Sequence, residues 1–306
     1  MQRDLPQPHA IIRAANVLGE GILWDDAAGL LWWTDIQRSE LLRYHWATQD
    51  LRRSALPDRL GSFGLIQDSA DIIAAFAGGI ALYHPDNASL QWISRPAAHL
   101  AHLRFNDGRM DRQGRFWAGT MIEGQSAADD ASLYCVDTLG ATRVHQQGLR
   151  ITNGLCASPD GRILYLADSP RRVIYCYDLD PDAGTLHRQR VFAQTSEGAY
   201  PDGANVDEDG CVWSAQWSGS RVVRYTPEGK IDQVLRLPVT QPTCVAFAGP
   251  DRDLLCVSSA RDGLSDAQLA EQPHAGDVLV YRIGVRGLPE PRFRGSLRSA
   301  QRAALG

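Results

Sequence analysis

A short turn motif recurs along this chain at a spacing that few architectures accommodate. Strand-like runs bracket a D-x-x-G or P-D-G turn in MDRQGRFWAGT (110–120), SPDGRILYLAD (158–168) and VDEDGCVWSAQ (206–216). Weaker copies are WDDAAGLLWWTD (24–35), QDSADIIAAFA (67–77) and AGPDRDLLCVSS (248–259). The turn glycines step from 114 to 161 to 210, and the flanking copies continue at about forty to fifty residues. That is the period of a four-stranded propeller blade. The runs after the turns (GLLWWTD, GRFWAG, GRILYLA, GCVWSA) are rich in β-branched and aromatic residues. Second runs such as LLRYHW, SLYCVD and RVVRYTPEG alternate polar with apolar and end in Asp, Pro or Gly, as hairpin-linked outer strands do. No amphipathic helix of ten residues or more is evident, and only 264–272 (LSDAQLAEQ) reads as one or two helical turns. The fold expected is all-β: a six-bladed β-propeller of four-stranded antiparallel blades. It is read as a single domain over 1–306, with about 287–306 as a mobile C-terminal tail.

Six blades must close into a ring, because an open array exposes a sheet edge. The run HAIIRAANVL (9–18) is expected to supply an extra strand that completes the last blade beside DVLVYRI (277–283). Hydrophobic residues form 44% of the chain, ample for a packed core. A formal charge of −5 lacks the basic face that a nucleic-acid partner requires, and the basic residues scattered from Arg292 to Arg302 read as a frayed tail. The start, MQRDLPQPHA, has no apolar core of a secretory signal, and no run is long enough to span a bilayer. Six cysteines stand singly at 135, 156, 176, 211, 244 and 256, most inside apolar strand runs. They read as reduced core thiols in a cytoplasmic protein. Monomer is the default expectation, with no membrane partner.

A polar residue recurs in register with the turns. Asn106, Asn153 and Asp202 each lie eight positions before a turn glycine (Gly114, Gly161, Gly210), and Glu20 lies nine before Gly29. Each is followed at once, or after one residue, by another glycine. Any one of them alone is an ordinary turn residue. Four in one register, arranged around an axis, converge on one spot, expected just ahead of the inner strands at the channel mouth. Two carboxylates and two carboxamides there are hard oxygen donors suited to a divalent cation.

The segments LGEGILWD (18–25), RFNDGRMDRQGRFWAGTM (104–121), ITNGLCASPDG (151–161) and YPDGANVDEDGCVW (200–213) together resemble the senescence marker protein/gluconolactonase family, also called regucalcin-like. The resemblance runs over nearly the whole length. It implies a six-bladed propeller with one divalent cation at the channel mouth, held by Glu20, Asn153 and Asp202. It implies substrate contacts at Arg104, Asn106 and Glu123, and metal-dependent hydrolysis of sugar-acid (aldono-) lactones, such as gluconolactone or a pentonolactone, to the aldonic acid. Oxygen ligands accept calcium, zinc, manganese, magnesium or ferrous iron, so the cation is left open.

Asp202 is also the candidate catalytic base, taking a proton from water and returning it to the leaving ring oxygen. A residue that ligates the metal as well is a weaker base than a free one. Arg104 offers directed donors of fixed charge; its alternative is a turn arginine. Asn106 suits a sugar hydroxyl, or a water-mediated contact to the cation. Glu123 opens an acidic loop, EGQSAADDAS, a candidate lid; read alone it is a solvated glutamate. Asp107 is expected to hold its loop through backbone N–H groups, Trp33, Trp117 and Trp213 to pack between blades, and His102 to be structural. No G-x-S-x-G elbow is present. Two other readings stay open: an aryl-ester or organophosphate hydrolase at the same metal, and a non-enzymatic propeller that binds calcium or a protein partner, echoed by WTD at 33–35.

Overall fold

The turn chemistry shows why the repeats form hairpins. In the computed structural model, which describes residues 6–98, 100–124 and 128–295, one Asp111 carboxylate oxygen accepts the N–H groups of Gln113 and Arg115, both at 3.0 Å. The other accepts the Trp117 indole N–H at 2.8 Å. Asp207 repeats the arrangement with the N–H groups of Asp209 and Cys211 and the indole of Trp213. The aspartate thus closes the turn through its own side chain and anchors the tryptophan of the next strand.

The hairpins build six four-stranded antiparallel sheets among the described residues. In chain order they span residues 19–55, 60–94, 103–149, 152–194, 200–236, and 242–282 joined by Ala10–Ile12. The sixth blade takes its outermost strand from the other end of the chain, with Ile11 opposite Leu279. Asp277 secures the join by accepting the N–H groups of Ala14 and Ala15 at 2.9 and 3.0 Å. The expected latch is therefore present. The helical turns expected at 264–272 appear as Asp266–Glu271, with Ser265 and Gln268 forming a capping box.

The core lies between blades. Trp33 packs with Ala246 and Val280 of the sixth blade, Trp117 with Leu155 and Leu166 of the fourth, and Trp213 with Phe247 and Val257 of the sixth. All three indoles are wholly buried, in the packing role expected of them. The six cysteines are buried and unpaired. Among the described residues no helix is long and apolar enough to cross a membrane.

Residues 286–294, the start of the expected tail, run across the turn ends of the blades as a strap. The carbonyl of Arg286 accepts from the N–H of Glu208, and the N–H of Gly287 donates to Arg252. The N–H of Phe293 donates to Leu65, and that of Arg294 to Gly114. Phe293 is wholly buried, which is what holds the segment down. Residues 296–306 of the expected tail and 125–127 of the acidic loop lie outside the described residues.

Candidate functional site

Four inner strands, Gly19–Asp25, Leu103–Met110, Thr152–Ala157 and Tyr200–Val206, carry the recurring polar residues. Glu20, Asn106, Asn153 and Asp202 lie inside these strands, not just ahead of them as the sequence reading placed them. Each stands where the ladder skips: after Glu20↔Thr34, after Phe105↔Thr120, after Asn153↔Ala167 and after Pro201↔Gln216. The hydrogen-bonded ladder continues on both sides of the skip, so the strand extends past the residue. A bulge of this kind bends the strand and breaks its alternation beyond the polar residue. In the first and fourth blades the bulge uses glycine at positive φ, Gly21 and Gly154, both at 59°, a conformation that costs glycine nothing. In the third blade Asp107 carries the bulge through backbone N–H groups, as expected, accepting from Gly108 at 2.8 Å and from Leu155 of the next blade at 2.9 Å.

The bulged residues face a cavity of about 440 Å3 whose lining includes Glu20, Arg104, Asn106, Glu123, Asn153 and Asp202. All six residues named from the sequence are therefore brought together. The lining also includes Ser169, Tyr200, Trp217, Gln37 and Asp262, which the sequence reading missed. Tyr200 stands two residues from Asp202 in one strand, so the two-residue period of a strand was a usable signal. Ser169, Trp217, Gln37 and Asp262 carry no such signal, because their convergence arises only when neighbouring blades pack.

A hydrogen-bonded chain crosses three blades at the cavity floor. Arg104 donates to the Asn106 carboxamide oxygen at 2.7 Å. Asn106 Nδ2 donates to the Thr152 carbonyl at 2.9 Å and to Asn153 Oδ1 at 3.0 Å. Asn153 Nδ2 donates to Ser169 Oγ at 2.8 Å, and Ser169 Oγ donates to the Pro201 carbonyl at 2.7 Å. At the rim, Glu123 is about one-third exposed and accepts both terminal nitrogens of Arg59, at 2.6 and 2.9 Å. Its Oε1 also lies 3.3 Å from Arg104 Nε. Arg59, in the unremarkable run LPDRLG, was not singled out from the sequence. His102 stays outside the lining and pairs with Asp130 at 3.0 Å.

The charges are poorly compensated. Burial pushes the Glu20 carboxyl well above its ordinary range, and the nearby Asp107 pushes it further; the Gly21 N–H, Arg104 and a hydrogen bond with Asp202 oppose this. Asp202 is raised by burial and then by the charges of Glu20 and Asp107. Asp107 rises to about 6, chiefly through burial. Burial also lowers the Arg104 guanidinium, while hydrogen bonding to Arg59 holds Glu123 down. Among the described residues no cluster of three or more His, Cys, Asp or Glu side chains is arranged to hold a metal. The candidate set is two carboxylates and one amide oxygen, and its buried, mutually repelling anions fit a hard divalent cation.

The chain matches the family described as "SMP-30/Gluconolactonase/LRE-like region" over residues 18–261. It is 37% identical over 287 residues to a 6-deoxy-6-sulfogluconolactonase of Pseudomonas putida, covering 93% of this chain and 98% of that one. It is 36% identical over 303 residues to an L-arabinolactonase of Azospirillum brasilense, covering 97% and 100%. A solved structure from Agrobacterium tumefaciens, described as a calcium-binding protein, regucalcin, superposes with a TM-score of 0.89 at 31% identity, covering 95% and 100%. Fold and site define a six-bladed propeller with an oxygen-rich cavity lined from its inner strands. The protein belongs to the SMP-30/gluconolactonase family.

Proposed function

We propose that this protein hydrolyses sugar-acid lactones to aldonic acids, using one divalent cation held by Glu20, Asn153 and Asp202. Its relatives named as lactonases support the enzyme class. The observation that carries the reading is the single cavity in which the three proposed ligands and the three proposed substrate contacts meet.

The cation would polarise the lactone carbonyl and lower the pKa of water beside it. Asp202 accepts a proton as water adds to the carbonyl carbon. The bond from that carbon to the ring oxygen then breaks, and Asp202 returns the proton to the ring oxygen, leaving a hydroxyl and an acid. Arg104 lends fixed N–H donors to substrate oxygens. Asn106 is held by Arg104 and Asn153 and orients a sugar hydroxyl. Glu123, anchored by Arg59, accepts a hydrogen bond from a substrate hydroxyl at the rim.

A lining with this many hydrogen-bonding side chains suits a polyhydroxylated substrate better than an aryl ester. The test is a panel of gluconolactone, a xylonolactone, an arabinonolactone and phenyl acetate, each corrected for spontaneous hydrolysis. Sugar lactones are expected to show the higher kcat/KM. Phenyl acetate as the preferred substrate would overturn the reading.

A further inference from the structure

An amide ligand brings a problem that a carboxylate does not: only one of its two ends can face a cation. The hydrogen-bonded chain on the cavity floor resolves it by polarity. At one end, Arg104 only donates, so the Asn106 group it meets at 2.7 Å is the oxygen. The other end of Asn106 is then the nitrogen, as its bond to the Thr152 carbonyl independently requires. That nitrogen meets the oxygen of Asn153 at 3.0 Å, which leaves Asn153 Nδ2 facing Ser169 Oγ at 2.8 Å. The far end is closed by a carbonyl, Pro201, which only accepts, so the Ser169 proton points there, at 2.7 Å. The serine oxygen is thereby left to accept from Asn153 Nδ2.

Ser169 is buried and opens the short 3-10 turn Ser169–Arg171, fixed by Pro170. Its carbonyl partner, Pro201, immediately precedes Asp202. One hydroxyl thus ties the Asn153 amide of the fourth blade to the backbone beside the proposed ligand of the fifth. We propose that Ser169 is a positioning residue that keeps the Asn153 carboxamide oxygen, not its nitrogen, turned toward the cation position. This rests on the reading of Asn153 as a ligand. One lone pair of Asn153 Oδ1 accepts from Asn106, and the second serves the cation. With Ser169 reduced to alanine, Asn153 Nδ2 loses its acceptor, and the Asn106 N–H is left to oppose the flipped amide, which presents N–H groups to the cation.

Mn2+ titration into chelator-stripped protein, followed by the electron paramagnetic resonance of the free ion, tests this without reference to turnover. Ser169→Ala is expected to weaken Mn2+ binding about 10- to 100-fold, the usual effect of losing a partner that orients a ligand. In the Asn153→Asp background the two oxygens are equivalent and a flip is silent, so the same change is expected to cost less than about 3-fold. Thermal melts of each variant establish that it is folded. A Ser169→Ala protein that binds Mn2+ within about 2-fold of wild type overturns the positioning role. An equal loss in both backgrounds overturns it too, since the hydroxyl would then act through the Pro201 strand alone. If wild type binds no Mn2+, or Asn153→Ala binds it as tightly, the ligand assignment itself falls and this inference with it.

Discussion

Glu20 and Asp202 are two buried carboxyl groups lining one cavity, and Asp107 lies close enough to repel both. Each holds its proton to a higher pH in the folded chain than in the unfolded one, where the values are about 4. Their contribution to stability is therefore fully present below about pH 4 and is lost as pH rises through the raised folded values. At neutral pH the cation-free protein bears the cost of ionising them, and a bound cation relieves it. The thermal midpoint of chelator-treated protein is expected to fall between about pH 5 and 8, and the gain on adding a divalent cation to grow over the same window. Glu20→Gln should raise the cation-free midpoint at the upper end and abolish most of that gain. A cation-independent midpoint at every pH would contradict the assignment. Asp202→Asn removes the proton acceptor with little change of shape. It should leave a folded protein whose turnover is lower by about 10^2- to 10^4-fold, and near-wild-type turnover would sink the role of Asp202.

At the level of the strand, the site depends on bulges. Gly154 has φ of 59°, and a Cβ there would lie 3.0 Å from the Asp202 carbonyl oxygen. Gly154→Ala is expected to destabilise by about 1–2 kcal/mol, because an L-residue resists the left-handed region, and to weaken cation binding by displacing Asp202. Denaturant unfolding with and without cation measures both effects; an unchanged midpoint would mean that the bulge tolerates a side chain. The hairpin turns were legible in the sequence because their chemistry is local: Asp111 and Trp117 are six residues apart, and one carboxylate serves both turn and indole. The helical turns within 264–272 were legible for the same reason. The bulges were not. A register skip depends on the partner strand, so Glu20 and Asn153 read as residues ahead of a strand when they are inside it. Arg59 and Ser169 were invisible because only the packing of adjacent blades carries Ser169 to the cavity and Arg59 to Glu123 in its lining.

Across the whole molecule, the ring is closed twice. The N-terminal strand Ala10–Ile12 completes the sixth blade, and its short apolar run ahead of the first blade's inner strand made this readable. A chain beginning at Glu20 should therefore unfold at a lower temperature and less cooperatively. The strap at 286–294 was not readable, since PRFRG looks like surface and only the buried Phe293 betrays it. Its Glu290 accepts from Arg109 at 3.1 and 3.0 Å. Arg109 also donates to the carbonyls of Ala204 and Ile22, in the inner strands of the fifth and first blades. The ion pair therefore joins the strap to two inner strands. Glu290→Gln strands a buried guanidinium and is expected to destabilise by about 3–5 kcal/mol. An unchanged melt would show the strap to be dispensable.

The central claim, cation-dependent lactone hydrolysis at the channel mouth, is tested most directly by acid release from gluconolactone and xylonolactone. The protein is first stripped with chelator, then assayed without cation and with Ca2+, Zn2+, Mn2+, Mg2+ or Fe2+ restored in turn, with spontaneous opening subtracted. The account predicts that stripped protein is nearly inactive and that at least one cation restores turnover. A folded protein that accelerates neither lactone with any cation, or accelerates them equally well without one, would contradict it.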